Sequence, residues 1–213
     1  VTDLLFEVLG DRTEPHAAVP TVVLRLRATE RDRRRVHAAA LRCQIRVEPK
    51  KRHYRPDEEV RLYELFGDTP QWGDSLRPFL WTHVSVTLAG FDGLTEFDLP
   101  IECTYDFEVA AAKYMHGLSE GHIPLLLLFS GTVFVDGGSG FAAERVSWGA
   151  EASYALPVAR WRSTMDCYFP NSGWVRVQRD TLDRLQRFRS LRGLPTWDLA
   201  FEHLMKEAGV EEG

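Results

Sequence analysis

The residues in this chain that could do chemistry are its histidines, its three cysteines, and a few clusters of carboxylates and arginines. Of the histidines, only His116 and His122 lie near each other, flanking Gly117 and Gly121 ahead of an apolar stretch. With Glu102, Cys103 or Glu120 they are weak candidates for a metal site. A zinc centre needs three or four ligands at defined offsets, and this spacing matches no such template. The expected reading is therefore two surface-loop histidines, with no metal and no cofactor. A nucleophile–base pair of Cys103 and His83 is disfavoured by strand parity. Cys103 alternates with Leu99 and Ile101, and His83 falls out of phase with Val84, Val86 and Leu88. A cysteine on an apolar strand face usually acts as a small hydrophobe. The same holds for Cys43, in phase with Ile45 and Val47, while Cys167 reads as a helix packing residue.

Glu102, Asp106 and Glu108 form an acidic ladder read as a solvated strand face. Paired carboxylates can exchange protons with a substrate, but only inside a cleft. The glycine-rich Asp136–Gly140 segment lacks both a phosphate-loop pattern and a following helix, so it reads as a hairpin turn. No position emerges as catalytic.

The strongest local signal is charge. Arg25, Arg27, Arg31, Arg33, Arg34, Arg35, Arg42, Arg46, Lys50, Lys51, Arg52 and Arg55 face only Glu30, Asp32 and Glu48 within their own stretch. Alternation places Arg25, Arg27, Arg42 and Arg46 on one exposed sheet face, and that face invites an anionic cover. The cover is either internal, from Asp57, Glu58, Glu59 and Glu64, or an acidic protein surface. Nucleic acid is the less favoured partner, because the net charge is −5 and only Tyr54 is available for base stacking in this stretch. A second run, from Arg176 to Arg192, reads as a solvated helix face with pairs such as Asp180–Arg184 and Asp183–Arg187.

These residues must be held by a β-rich scaffold. Strands are expected at Leu4–Leu9, Val22–Arg27, Leu41–Val47, Trp81–Leu88, Phe97–Val109 and Ile123–Val135, the last buried on both faces, with one or two more in Phe141–Leu156. Turn chemistry is expected at Gly90–Gly93. A short helix opens at Asp57 and stops at Gly67, a second spans Ala110–Leu118, and three follow residue 157, the last capped by Thr196. The implied class is α+β and β-dominated: an antiparallel β-sandwich of about 7–8 strands with helices clustered at the C-terminal end. It forms one structural domain, with the sandwich over 1–156, a helical insertion near 57–66, and a helical segment over 157–213 packed on it. The odd cysteine count, without CxxC spacing, points to a reducing, cytoplasmic location. The longest apolar run, Ile123–Phe129, is too short to span a membrane.

Six stretches, LRCQIR (Leu41–Arg46), LWTHV (Leu80–Val84), CTYDFEVAAAKY (Cys103–Tyr114), PLLLLFSGTVF (Pro124–Phe134), MDCYFP (Met165–Pro170) and LPTWD (Leu194–Asp198), resemble a bacterial family of uncharacterised proteins of about this length. The likeness covers nearly the whole chain. It implies genes placed near NiFe-hydrogenase structural and maturation genes, hence an accessory role, and it assigns no functional residue. The expected function is that of a non-enzymatic, protein-binding accessory protein, possessing the arginine face and an aromatic segment around Trp72, Phe79 and Trp81 as its contact surface. The alternative is an enzyme or small-ligand carrier whose pocket, between sandwich and C-terminal helices, is lined by Trp148, Trp161, Tyr168 and Trp174.

Overall fold

The computed structural model describes residues 1–103, 109–137, 140–172 and 175–210. They fall into two compact units, Val1–Trp174 and Val175–Gly213. The first carries eight strands: β1 (Leu4–Thr13), β2 (Thr21–Glu30), β3 (Arg35–Val47), β4 (Phe79–Asp92), β5 (Leu94–Glu102), β6 (His122–Gly137), β7 (Gly140–Arg145) and β8 (Glu151–Pro157). Its helices are α1 (Pro56–Phe66), α2 (Trp72–Ser75), α3 (Ala110–Gly117) and α4 (Val158–Tyr168). The second unit holds α5 (Arg179–Leu191) and α6 (Trp197–Glu207). Among the described residues no helix is long and apolar enough to cross a membrane.

The strands form two antiparallel sheets, one of three strands ordered β1-β2-β5 and one of five ordered β4-β3-β6, with β7 and β8 both along the far side of β6. Alternation explains why the sheets stack. Val22, Leu24 and Leu26 of β2 and Leu41, Cys43, Ile45 and Val47 of β3 are all buried in a single core. Phe6 of β1 stacks on Phe129 of β6 with ring centroids 3.8 Å apart, bridging the two sheets.

Two expectations are corrected. Gly90–Gly93 is not all turn: β4 runs through Asp92, with Phe91 buried opposite Val36. The reversal into β5 needs only Gly93, at φ 73°, where a side chain would be strained. β6 is fully buried on one face only. Leu126 and Leu128, on its other face, are half-buried, and Ser130 and Phe134 are exposed. Tyr105, Phe107, Asp106 and Glu108 lie outside the described residues, as does Trp174.

A helical layer closes one end of the first unit. Leu62 and Phe66 of α1 and Tyr114 and Met115 of α3 are buried together, and Gly117 lets them approach, since a Cβ there would sit 2.6 Å from Leu62 Cδ2. In the second unit the Thr196 side chain accepts a hydrogen bond from the Leu199 N–H at 3.2 Å, the expected N-cap. Gly193, at φ 63°, ends the preceding helix.

Candidate functional site

The arginines singled out by parity do not share a face. β2 belongs to the smaller sheet and β3 to the larger, so Arg25 and Arg27 lie on the outside of one, and Arg42 and Arg46 on the outside of the other. The two pairs also differ in their neighbours. Arg25 sits opposite Asp98 and Arg27 opposite Glu96 on β5. Arg25 bridges Asp98 and Glu96 at 3.2 and 3.3 Å, and Arg27 bridges Glu96 at 2.8 Å and Glu7 of β1 at 3.5 Å. Hydrogen bonding to Arg27, reinforced by Arg25, holds the Glu96 carboxyl below the usual glutamate range. That half of the basic signal is covered internally, by acids on neighbouring strands.

Most of the remaining basic run is paired as well. Arg31 meets Asp3 at 2.8 Å, and Arg34 meets Glu30 at 3.2 Å and Glu144 at 3.0 Å. Arg55 meets Glu120 at 2.7 Å, and Arg52 meets Glu58 at 2.8 Å. Glu58 is wholly buried and also accepts from the backbone N–H groups of Arg55 and Ser119, at 3.1 and 2.8 Å. Burial works to raise the Glu58 carboxyl, but these donors and Arg52 outweigh it and bring it below the ordinary value. Arg42 and Arg46 have no ion-pair partner among the described residues.

Around Arg42 the outside of the larger sheet forms a depression of about 760 Å³. Two cross-strand rows build its floor: Arg42 and Ser130, then His83, Gln44 and Leu128. One wall comes from the point where β6 changes partner. β6 pairs with β7 from Thr132 to Gly137 and with β8 from His122 to Leu128. Between them the Val146 N–H donates to Gly131 O at 3.1 Å and the Phe129 N–H to Ala150 O at 2.8 Å, while residues 147–149 loop outward. At the same point Gly131 lets β6 approach β3 closely, because its φ is 147° and a Cβ would lie 2.1 Å from Ala40 O. The loop raises Trp148 into solvent, 103 % exposed, and Arg145 precedes it with no ion-pair partner among the described residues. The depression thus joins two guanidinium groups without an ion-pair partner among the described residues, an indole, and the polar side chains of Gln44, Ser130 and Ser147. Such a set can bind carboxylates bidentately and stack on a flat or apolar group.

The model of the Family of unknown function (DUF6084) matches residues 1–213. The chain belongs to this family. No curated protein matches it. Among solved structures, a β-glucosidase from Kluyveromyces marxianus is similar at 7 % identity and a TM-score of 0.28, covering 73 % of this chain and 15 % of that one. A CARDB domain from Pyrococcus furiosus, in complex with di-metal ions, is similar at 11 % identity and 0.27, covering 73 % and 87 %. β-Glucosidase 3B from Thermotoga neapolitana gives 11 %, 0.24, and coverage of 72 % and 17 %. The chain therefore spans about a sixth of the length of the β-glucosidases.

The other candidate residues of this family member are dispersed. His116 packs edge-on against Trp161 at 4.6 Å, and burial lowers its pKa to about 4, whereas His122 is exposed. No cluster of three potential ligands forms among the described residues. Cys43 and Cys103 are buried, and desolvation pushes both thiols up to about 12. Trp72 and Phe79 pack with Tyr54, Phe66 and Tyr114 inside the helical layer. Trp161, 2 % exposed, is core, and Tyr168 bonds to Glu14 O, so neither joins Trp148 at the depression. Sequence reasoning missed Arg145, and it named Trp148 only as part of a pocket with Trp161, Tyr168 and Trp174, not beside Arg42. The signal for Arg145 and Trp148 was the Ser147-Trp148-Gly149 interruption inside an otherwise strand-like stretch.

Proposed function

We propose that this chain is a non-enzymatic accessory protein that binds an acidic protein surface through the outer face of its five-stranded sheet. Arg42, Arg46, Arg145 and Trp148 are the contact residues. One observation carries the reading: most of the basic run finds an internal acid, whereas Arg42 and Arg145, beside a fully exposed tryptophan, and Arg46, farther along β3, have no ion-pair partner among the described residues. Desolvating an ordered indole or guanidinium against a complementary partner is where binding energy concentrates. An unpaired positive patch on a chain of net charge −5 also steers an acidic partner to one face. The family resemblance supplies the context, assembly or maturation of a NiFe-hydrogenase in the cytoplasm.

The test is affinity purification from the native host. Wild type should retain a stable partner, and Arg42→Glu with Arg145→Glu should release it while leaving the circular dichroism spectrum unchanged. Retention of the same partner by the double variant would exclude this face. The second reading is a small-ligand carrier or enzyme, favoured by a volume within the ~300–1,000 Å³ range of ligand pockets. It predicts a thermal shift with small dicarboxylates that Arg42→Glu abolishes.

A further inference from the structure

Each sheet edge exposes unpaired backbone groups, and proteins blunt such edges with charge, proline, bulges or brevity. Three of the edges here carry such devices. β1 bears Glu7, Asp11 and Arg12 and a register shift between Val8 and Gly10. β5 bears Glu96, Asp98 and Pro100. Along the far side of β6, β7 is six residues long and ends in Glu144-Arg145, and β8 is seven long, opening at Glu151 and closing at Pro157. β4 differs. It is the end strand of the larger sheet, fourteen residues long, and among the described residues it is hydrogen-bonded as a strand to β3 alone. From Phe79 to Phe91 it contains no Lys, Arg, Asp, Glu or Pro, and its sole ionisable side chain there is His83.

The packing along β4 is also unfinished. Val84 and Val86 point inward opposite Cys43 and Leu41, yet they are half-buried where their β3 neighbours are fully buried. Ser85, Thr87 and Ala89 on the other face are exposed.

We propose that β4 pairs edge to edge, antiparallel, with β4 of a second copy of this chain, forming a two-fold dimer with a continuous ten-stranded sheet. The absence of charge selects a second copy as the occupant. In an isologous antiparallel pairing the residue on the axis meets its own copy and its flanking residues meet one another, so a strand bearing charge of one sign would repel itself, whereas this one carries none from Phe79 to Phe91. Centred on Ser85, the pairing sets Val84 of each copy against Val86 of the other on the core side and completes their burial. On the outer face it sets His83 against Thr87, and it places both Arg42 depressions on one side of the joined sheet. The pairing does not depend on what those depressions bind.

Sedimentation velocity on the purified full-length chain tests this. Wild type should sediment as a dimer in the micromolar range. Ser85→Glu should halve the mass, because it sets a carboxylate opposite its own copy while placing that group beside Arg42 within the monomer. Thr87→Lys is the second disrupting variant, and Ser153→Lys on β8 should remain dimeric. A wild type that is monomeric throughout, a wild type that pairs β4 with a different protein instead, or disrupting variants that stay dimeric would each overturn the proposal.

Discussion

At the scale of single residues, burial decides which of the reactive side chains can react. The thiolate is the nucleophilic form of cysteine, and a thiol held near 12 forms almost none of it at neutral pH. Cys43 and Cys103 are in that condition, sealed between the sheets, whereas Cys167 is exposed on α4. A thiol reagent at pH 8 should therefore label Cys167 rapidly in the native protein and reach Cys43 and Cys103 only on unfolding. Mass mapping of the labelled peptides reads the outcome directly, and fast native labelling of Cys103 would contradict the packing described. The arginines illustrate the same dependence on surroundings. Arg27 and Arg42 occupy equivalent outward positions on adjacent strands of sequence, but only Arg27 has acids beside it in space.

At the scale of elements, the Arg52–Glu58 pair clamps the N-terminus of α1 to the loop before β6. Arg52 also donates to the carbonyls of Glu120 and His122, at 3.2 and 3.0 Å. Removing one partner of a buried pair leaves an unpaired charge and costs about 3–5 kcal/mol. Glu58→Ala should therefore lower the melting temperature strongly, by an amount measurable in a single thermal scan. The sign of the pH effect follows from the depressed Glu58 carboxyl. Its stabilisation is complete above the unfolded glutamate value of about 4.3 and is lost as pH falls through the lower folded value. Acid titration of stability should show this loss in wild type and lack it in Glu58→Gln. The helices α1 and α3 and most strands were legible from residue order, because Pro56, the acids that follow it and the period-2 runs are local signals. The extent of β4 was not legible, because Gly90-Phe91-Asp92-Gly93 reads as a turn until Phe91 is seen to pack opposite Val36.

At the scale of the whole molecule, the first unit is held by a core common to both sheets. The Phe6–Phe129 stack crosses it, and Phe6 also meets Phe97 of β5 edge-on at 6.5 Å. Truncating a buried aromatic to alanine costs about 3–5 kcal/mol. Phe6→Ala should lower the denaturant midpoint as followed by both far-ultraviolet dichroism and tryptophan fluorescence, with the two transitions still coincident for this unit. A separation of the probes would mean that the sheets unfold independently.

The sequence by itself determined which face of each strand turns inward. A period of two is a local property, and burying Val22, Leu24 and Leu26, or Leu41, Cys43 and Ile45, needs no knowledge of the neighbouring strand. It also determined most helix starts and the glycines Gly67 and Gly193 that stop two of the helices. Only the tertiary structure decided which sheet each strand joins, because pairing is set by contacts between residues far apart in the chain. That assignment separated Arg25 and Arg27 from Arg42 and Arg46, and paired the first two with Glu96 and Asp98. It also brought Arg145 and Trp148 to the side of Arg42, across a partner change on β6 from β7 to β8.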